Sequence, residues 1–296
     1  MKNSEKLSIK NHLLKIEITK VGAELCSIKN KDNQEFIWQA DSAIWGSHAP
    51  VLFPIIGALK ENHFRFEGKE YTVPKHGFIR NNDQLKIIHH VEETITFQYK
   101  YSEETLKNYP CKFEFNITFS LEGNILKVSH NIINHGDEFM YFSLGGHPAF
   151  KCPLKPNESY TDYQLEFEKK ENSQRYLIDE NGLQNGKSAP FLHQTDVLPL
   201  KHELFAEDAL IFKDLQSKKI SLTNKSLGKI LTVSFADFDY VGIWAKPEGD
   251  FVCIEPWLGI TDSAQTDGDF KNKEGIISLE AKQTYQATYS IEIHTT

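Results

Sequence analysis

The sequence predicts an all-β fold, a large antiparallel β-sandwich with few and short helices. Period-two alternation of apolar and polar residues recurs along almost the whole chain, helical periodicity is nearly absent, and turn residues separate the apolar runs. No internal repeat, low-complexity tract or composition break marks a linker, so residues 1–296 read as one domain.

Taken in order, strands are expected over residues 13–19 and 23–28. The run Val51-Leu52-Phe53-Pro54-Ile55-Ile56-Gly57 follows, then a hairpin turning at Glu67-Gly68-Lys69. His89 and His90 fall on an alternating strand with opposite-facing side chains, which argues against a metal pair. Residues 94–101 alternate, and 102–108 fit a helix of about two turns. The clearest hairpin covers 112–133. There Phe113, Phe115, Ile117, Phe119 and Leu121 share one face, and beyond the turn Glu122-Gly123-Asn124 the residues Leu126, Val128, His130 and Ile132 share another. Polar, turn-rich residues 169–187 read as a surface excursion, and 200–205 as a second short helix. Strands are expected over 211–223 and 230–235. Segments 240–245 and 251–254 should pair across Lys246-Pro247-Glu248-Gly249-Asp250, and 283–293 forms the last strand.

Composition narrows the function. With 40% hydrophobic and 12% aromatic residues the chain can fill a substantial core. A formal charge of −8 argues against a nucleic-acid or membrane-surface partner, both of which call for a basic face. Cys26, Cys111, Cys152 and Cys253 are widely spaced, so zinc-site spacing is absent and a disulfide framework is not expected. No apolar signal segment follows Met1, and no run approaches the roughly 18 apolar residues of a membrane span. A cytoplasmic protein with reduced thiols is the expectation.

Three islands carry candidate chemistry. In Gly145-Gly146-His147-Pro148-Ala149-Phe150, paired glycines allow close approach by backbone and ligand. Pro148 interrupts regular pairing, so His147 is presented at a strand end, where it either exchanges protons near neutral pH or serves as a structural hydrogen-bonder. In Lys75-His76-Gly77-Phe78-Ile79-Arg80, the imidazole again adjoins a glycine. The Arg80 fork suits a carboxylate, a phosphate or a vicinal diol, or pairs with a structural acid. In Val252-Cys253-Ile254-Glu255-Pro256-Trp257, a carboxylate ends an apolar strand before a proline. Burial there raises its pKa and poises it as a base. Trp257 shares its face, as a sugar platform or as core. Asp208 either holds a polar ligand or serves as a turn residue, and Asp262 reads as a loop cap.

In this order and at these separations, Leu52-Phe53-Pro54-Ile55-Ile56-Gly57, His76-Gly77-Phe78-Ile79-Arg80, Gly146-His147-Pro148-Ala149-Phe150 and Ile254-Glu255-Pro256-Trp257 resemble the aldose 1-epimerase (galactose mutarotase) family. The similarity is greatest to its hexose-phosphate 1-epimerase-like branch and extends over roughly residues 6–293. The resemblance implies a β-supersandwich with a carbohydrate cleft and cofactor-independent, metal-free interconversion of α and β hexopyranoses. Glu255 then corresponds to the general base, His147 to the general acid and His76 to a second cleft histidine, with Arg80 and Asp208 touching the sugar. The partner is a small aldohexose or its phosphate, and the protein is a monomer or homodimer. Mutual attraction is expected to hold Glu255 ionised and His147 protonated. One departure bears on the substrate. Related chains often carry arginine after the glycine of Gly57-Ala58-Leu59-Lys60, and Ala58 leans toward a neutral sugar, with Lys60 and Lys75 as other possible anion contacts. Two rivals stand beside this reading: a non-catalytic carbohydrate-binding protein, and a metal hydrolase using His76, His147 and Glu255.

Overall fold

The computed structural model describes residues 5–294. The expected β architecture is present, dominated by one 15-stranded antiparallel sheet, with a three-stranded sheet and two two-stranded ones beside it. The hairpin expected at 112–133 forms from Phe113–Glu122 and Ile125–Asn134, with Phe115 opposite Ile132 and Phe119 opposite Val128. These alternating apolar residues bury one face each in a single large core cluster. The helix is Glu103–Asn108. Ser102 caps it by accepting from the Thr105 amide, while Thr105 Oγ1 accepts from the Ser102 amide. The second helical segment shortens to a 3-10 turn, His202–Phe205.

Two segments depart from the pattern read in the sequence. The polar stretch 169–187 lies largely at the surface as expected, but as strand and not as turns: it belongs to two 16-residue strands, Tyr163–Ile178 and Gln184–Pro199, which form a long bulged hairpin. Its outer part has little apolar surface to bury, and register shifts interrupt the alternation that would mark it as strand. The segment 211–223 is two strands, Leu210–Phe212 and Lys219–Asn224. The chain breaks between them because the Gln216 and Ser217 amides turn inward to the buried Glu171 carboxylate, at 3.1 and 2.7 Å.

The strand Phe251–Leu258 organises the molecule's most chemically dense region. On one side it pairs with Tyr240–Trp244, with Gly242 opposite Glu255. On the other it meets two short strands, Leu144–Gly146 and Ala149–Lys151. Pairing stops between those strands, where Pro148 and Pro256 lack N–H donors. The strand does not end at Glu255 as expected but continues through Pro256 to Leu258. Among the described residues, no helix is long and apolar enough to cross a membrane.

Candidate active site

Register places the two central residues. Gly145 lies opposite Trp257 and Ala149 opposite Cys253, so His147 falls opposite Glu255 across the interrupted pairing. Cross-strand partners project to the same face of a sheet. His147 Nε2 accordingly stands 3.3 Å from Glu255 Oε2, with the two residues only 8% and 1% exposed. Both line a cavity of about 340 Å³, together with His76, Arg80, Asp208 and Trp257. The fold therefore brings all six sequence-expected residues to one cleft.

His76 is held by reciprocal bonds to Gly57. Its amide donates to the Gly57 carbonyl at 2.8 Å, and its Nδ1 accepts from the Gly57 amide at 3.2 Å. An amide can only donate, so Nδ1 is unprotonated and the neutral ring carries its hydrogen on Nε2. Desolvation in the cleft keeps the ring neutral by pushing its pKa well down, helped by His147, Arg80 and Lys75. Its φ of 66° lies in the left-handed region, as does the 73° of Asp208. Backbone strain of this kind persists where surroundings over-determine it. At Gly77 the close approach is to the chain itself, since a Cβ would lie 1.9 Å from the Phe53 carbonyl oxygen.

The glycine pair before His147 serves packing and not ligand approach. A Cβ on Gly145 would meet Trp257 Cδ1 at 2.9 Å, and one on Gly146 would meet the Tyr289 hydroxyl at 2.8 Å. Gly242 leaves room on the other flank, where a Cβ would sit 2.4 Å from Trp257 Cζ2. Trp257 is thus slotted between two glycines of neighbouring strands. It packs in an apolar cluster with Leu52, Ile56, Ile211 and Ile260 beneath the cavity, so it is core and cleft wall at once.

The protonation states differ from expectation. Burial raises the Glu255 pKa well above the carboxylate range. The Trp257 indole is the main opposing influence, although its Nε1 closes no hydrogen bond of normal geometry. Burial also lowers His147 to about 3, assisted by the Arg80 charge. Desolvation outweighs the mutual attraction of the pair, so the open cleft favours a neutral carboxyl beside a neutral imidazole.

Arg80 makes no ion pair among the described residues. Nearby Glu24 instead accepts from the His48 and Ala49 amides at 2.6 and 2.9 Å, and the guanidinium keeps only a long 3.4 Å contact to Ser47. Lys75 lines the cleft, whereas Lys60 turns away, its amide donating to Asp262 and its ammonium reaching toward the Thr266 carbonyl. Ala58 is tied through its backbone to Thr261 and offers no anion site. Asp262 accepts from the Lys60 amide of that distant loop instead of capping its own turn as expected, and also forms a buried 2.7 Å ion pair with Lys273. The zinc set of His76, His147 and Glu255 is not assembled. Among the described residues, the potential donor atoms lying within 4.8 Å of one another are those of His147, Cys253 and Glu255, and burial pushes the Cys253 thiol pKa well up.

Sequence reasoning missed Trp45, Trp244 and Lys246, all of which line the cleft. Trp45 stacks on His147 at 5.0 Å and 27°, and Trp244 presents an edge to it at 5.6 Å and 87°. Trp244 was recoverable in principle: it shares the face of Gly242, which pairs with Glu255. Trp45 follows a polar turn and carried no comparable signal.

Comparison with known proteins gives the same direction. The family model described as aldose 1-epimerase matches residues 5–291. The plasmid-encoded protein LacX of Lactococcus lactis is 32% identical over 296 residues, covering 97% of this chain and 99% of LacX. A galactose mutarotase related enzyme from Lactobacillus acidophilus superposes with a TM-score of 0.93 at 36% identity, covering 99% of this chain and 98% of that one. A galactose mutarotase-like protein from Lactobacillus casei gives 0.91 at 32%, with 98% and 100% covered. The chain belongs to the aldose 1-epimerase family.

Proposed function

We propose that this protein is a mutarotase that interconverts the α and β anomers of a hexopyranose by general acid–base catalysis. The carrying observation is the 3.3 Å approach of His147 to Glu255 on the wall of a sugar-sized cleft. Ring opening removes the proton on O1, turns C1–O1 into a carbonyl and breaks C1–O5, whose electron pair takes a proton at O5. Rotation about C1–C2 and reclosure reverse each transfer, so one proton shared by the pair is enough. A bound hydroxyl donating to Glu255, together with the Trp257 indole, favours the carboxylate and moves the shared proton to His147. Glu255 then takes the O1 proton and His147 supplies O5, while His76 Nε2–H donates to a sugar oxygen.

Polarimetry of freshly dissolved α-glucose and α-galactose tests this. Glu255→Gln should lower turnover by about 10²–10⁴-fold while sugar binding, measured by calorimetry, persists. His147→Asn should lower kcat more than it raises KM. Equal rates for wild type and Glu255→Gln would leave the non-catalytic sugar-binding reading in possession.

A second reading concerns the substrate. Lys75, Arg80 and Lys246 line the cleft and have no ion-pair partner among the described residues. The carboxylates there are Asp208 and a Glu255 that burial favours as neutral. That balance favours a sugar bearing an anionic group, such as a hexose phosphate, over the neutral aldose that Ala58 suggested. Relative rates on glucose, galactose and glucose 6-phosphate separate the two.

A further inference from the structure

A histidine that moves protons is ordinarily oriented by a hydrogen bond to its second nitrogen, from a carboxylate or a carbonyl. Among the described residues His147 has no such partner of normal geometry, only a contact with its own backbone. Its Nδ1 is buried without a hydrogen bond, while Nε2 faces Glu255. Rings surround it instead: Trp45 lies against its face, and the arrangements with Trp244 and His76 are edge-on, at 87° and 79°.

Trp45 is itself anchored. Its amide donates to the Asp41 carbonyl at 2.8 Å, and its carbonyl accepts from the Trp38 indole at 2.8 Å. Its ring also stacks on Phe251 at 5.4 Å and 21°, and Phe251 packs on Trp38 at 4.9 Å. The indole is therefore a rigid surface fixed from a separate loop. We infer that Trp45 is a positioning residue, whose ring face takes the place of the missing hydrogen bond in holding the His147 imidazole toward Glu255. An electron-rich indole face also favours the imidazolium that forms in each catalytic cycle. This inference rests on the acid–base role proposed for His147.

Two readouts test it. Trp45→Met keeps apolar bulk but removes the ring face, and Trp45→Phe restores a face. Under the inference, Trp45→Met lowers kcat by about 10- to 100-fold, the scale of a small misplacement at a reacting centre, with KM changed less than threefold. Trp45→Phe recovers most of the loss. A rise in KM at unchanged kcat would make Trp45 a sugar platform and overturn the inference, as would full activity in Trp45→Met. The second readout needs no catalysis: long-range 1H–15N spectra report the His147 ring directly. One dominant tautomer in wild type that becomes a mixture in Trp45→Met supports the inference, and identical spectra overturn it. Should wild type show no mutarotation, the proposed function fails while the spectra still decide the role of Trp45. If Trp45→Met does not fold, Trp45→Leu replaces it in both measurements.

Discussion

Glu255 shows what a buried carboxylate costs the fold. The folded state raises its pKa through burial, so above the unfolded carboxyl pKa the native protein retains a proton that the unfolded chain has released. The native state then binds more protons, and stability declines with rising pH until the folded pKa is passed. Glu255→Gln removes that penalty. At neutral pH it should raise Tm by about 2–4 °C, the response of a moderately sized domain to roughly 1 kcal/mol, and flatten stability against pH; calorimetry from pH 4 to 9 measures both. Activity has its own window. Under the proposed mechanism the pair is competent while it holds one proton, from above the depressed His147 value of about 3 up to the raised Glu255 value. The profile of kcat/KM should therefore lack the inflection that an ordinary histidine gives near pH 6.5, and a break there would mean that His147 titrates exposed. The identities of these residues were legible in the sequence. Their charges were not, because desolvation depends on depth in the fold, which no linear spacing reveals.

At the level of elements, the site is a cross-strand pair made usable by glycines and prolines. Pro148 and Pro256 open the ladder where His147 meets Glu255, while Gly145 and Gly242 clear a slot for Trp257. Gly242→Ala should then push the indole toward the cavity. It should cost about 1–3 kcal/mol of stability through overpacking and lower sugar affinity, as read by denaturant unfolding and calorimetry. Gly46→Ala, where φ is not positive either and a Cβ would meet only Ser42 at an ordinary 3.8 Å, serves as the control for the loss of a glycine without overpacking. The halves of this arrangement could be read in advance: alternation found the hairpin 240–245 with 251–254, and Pro148 marked the break. The register that joins them could not, since it is set by partners about a hundred residues away. The arm Tyr163–Ile178 with Gln184–Pro199 escaped for a related reason. Its outer strands lack the buried face that produces alternation, yet its tip supplies Ile178 and Gly182 to the cleft wall.

Over the whole molecule, the charge of the chain and the charge of the cleft oppose each other. A net −8 repels an anionic sugar at long range, whereas Lys75, Arg80 and Lys246 attract it at short range. Salt separates the two effects by distance. At about 0.01 M ionic strength the Debye length of roughly 30 Å lets the total charge act, near 0.1 M it contracts to about 10 Å, and by 1 M about 3 Å remains. For a hexose phosphate, kcat/KM should therefore rise from low salt toward about 0.1 M as distant repulsion is screened. Beyond that it should fall as the local cations are screened in turn, while neutral glucose and galactose give flat profiles. Lys246→Ala should flatten the falling limb and lower kcat/KM on the phosphate about fivefold, the effect of roughly 1 kcal/mol from one exposed charge. Steady-state rates across that salt series measure it. A glucose 6-phosphate profile as flat as that of glucose would show that the three cations do not meet substrate charge, returning the cleft to a neutral aldose.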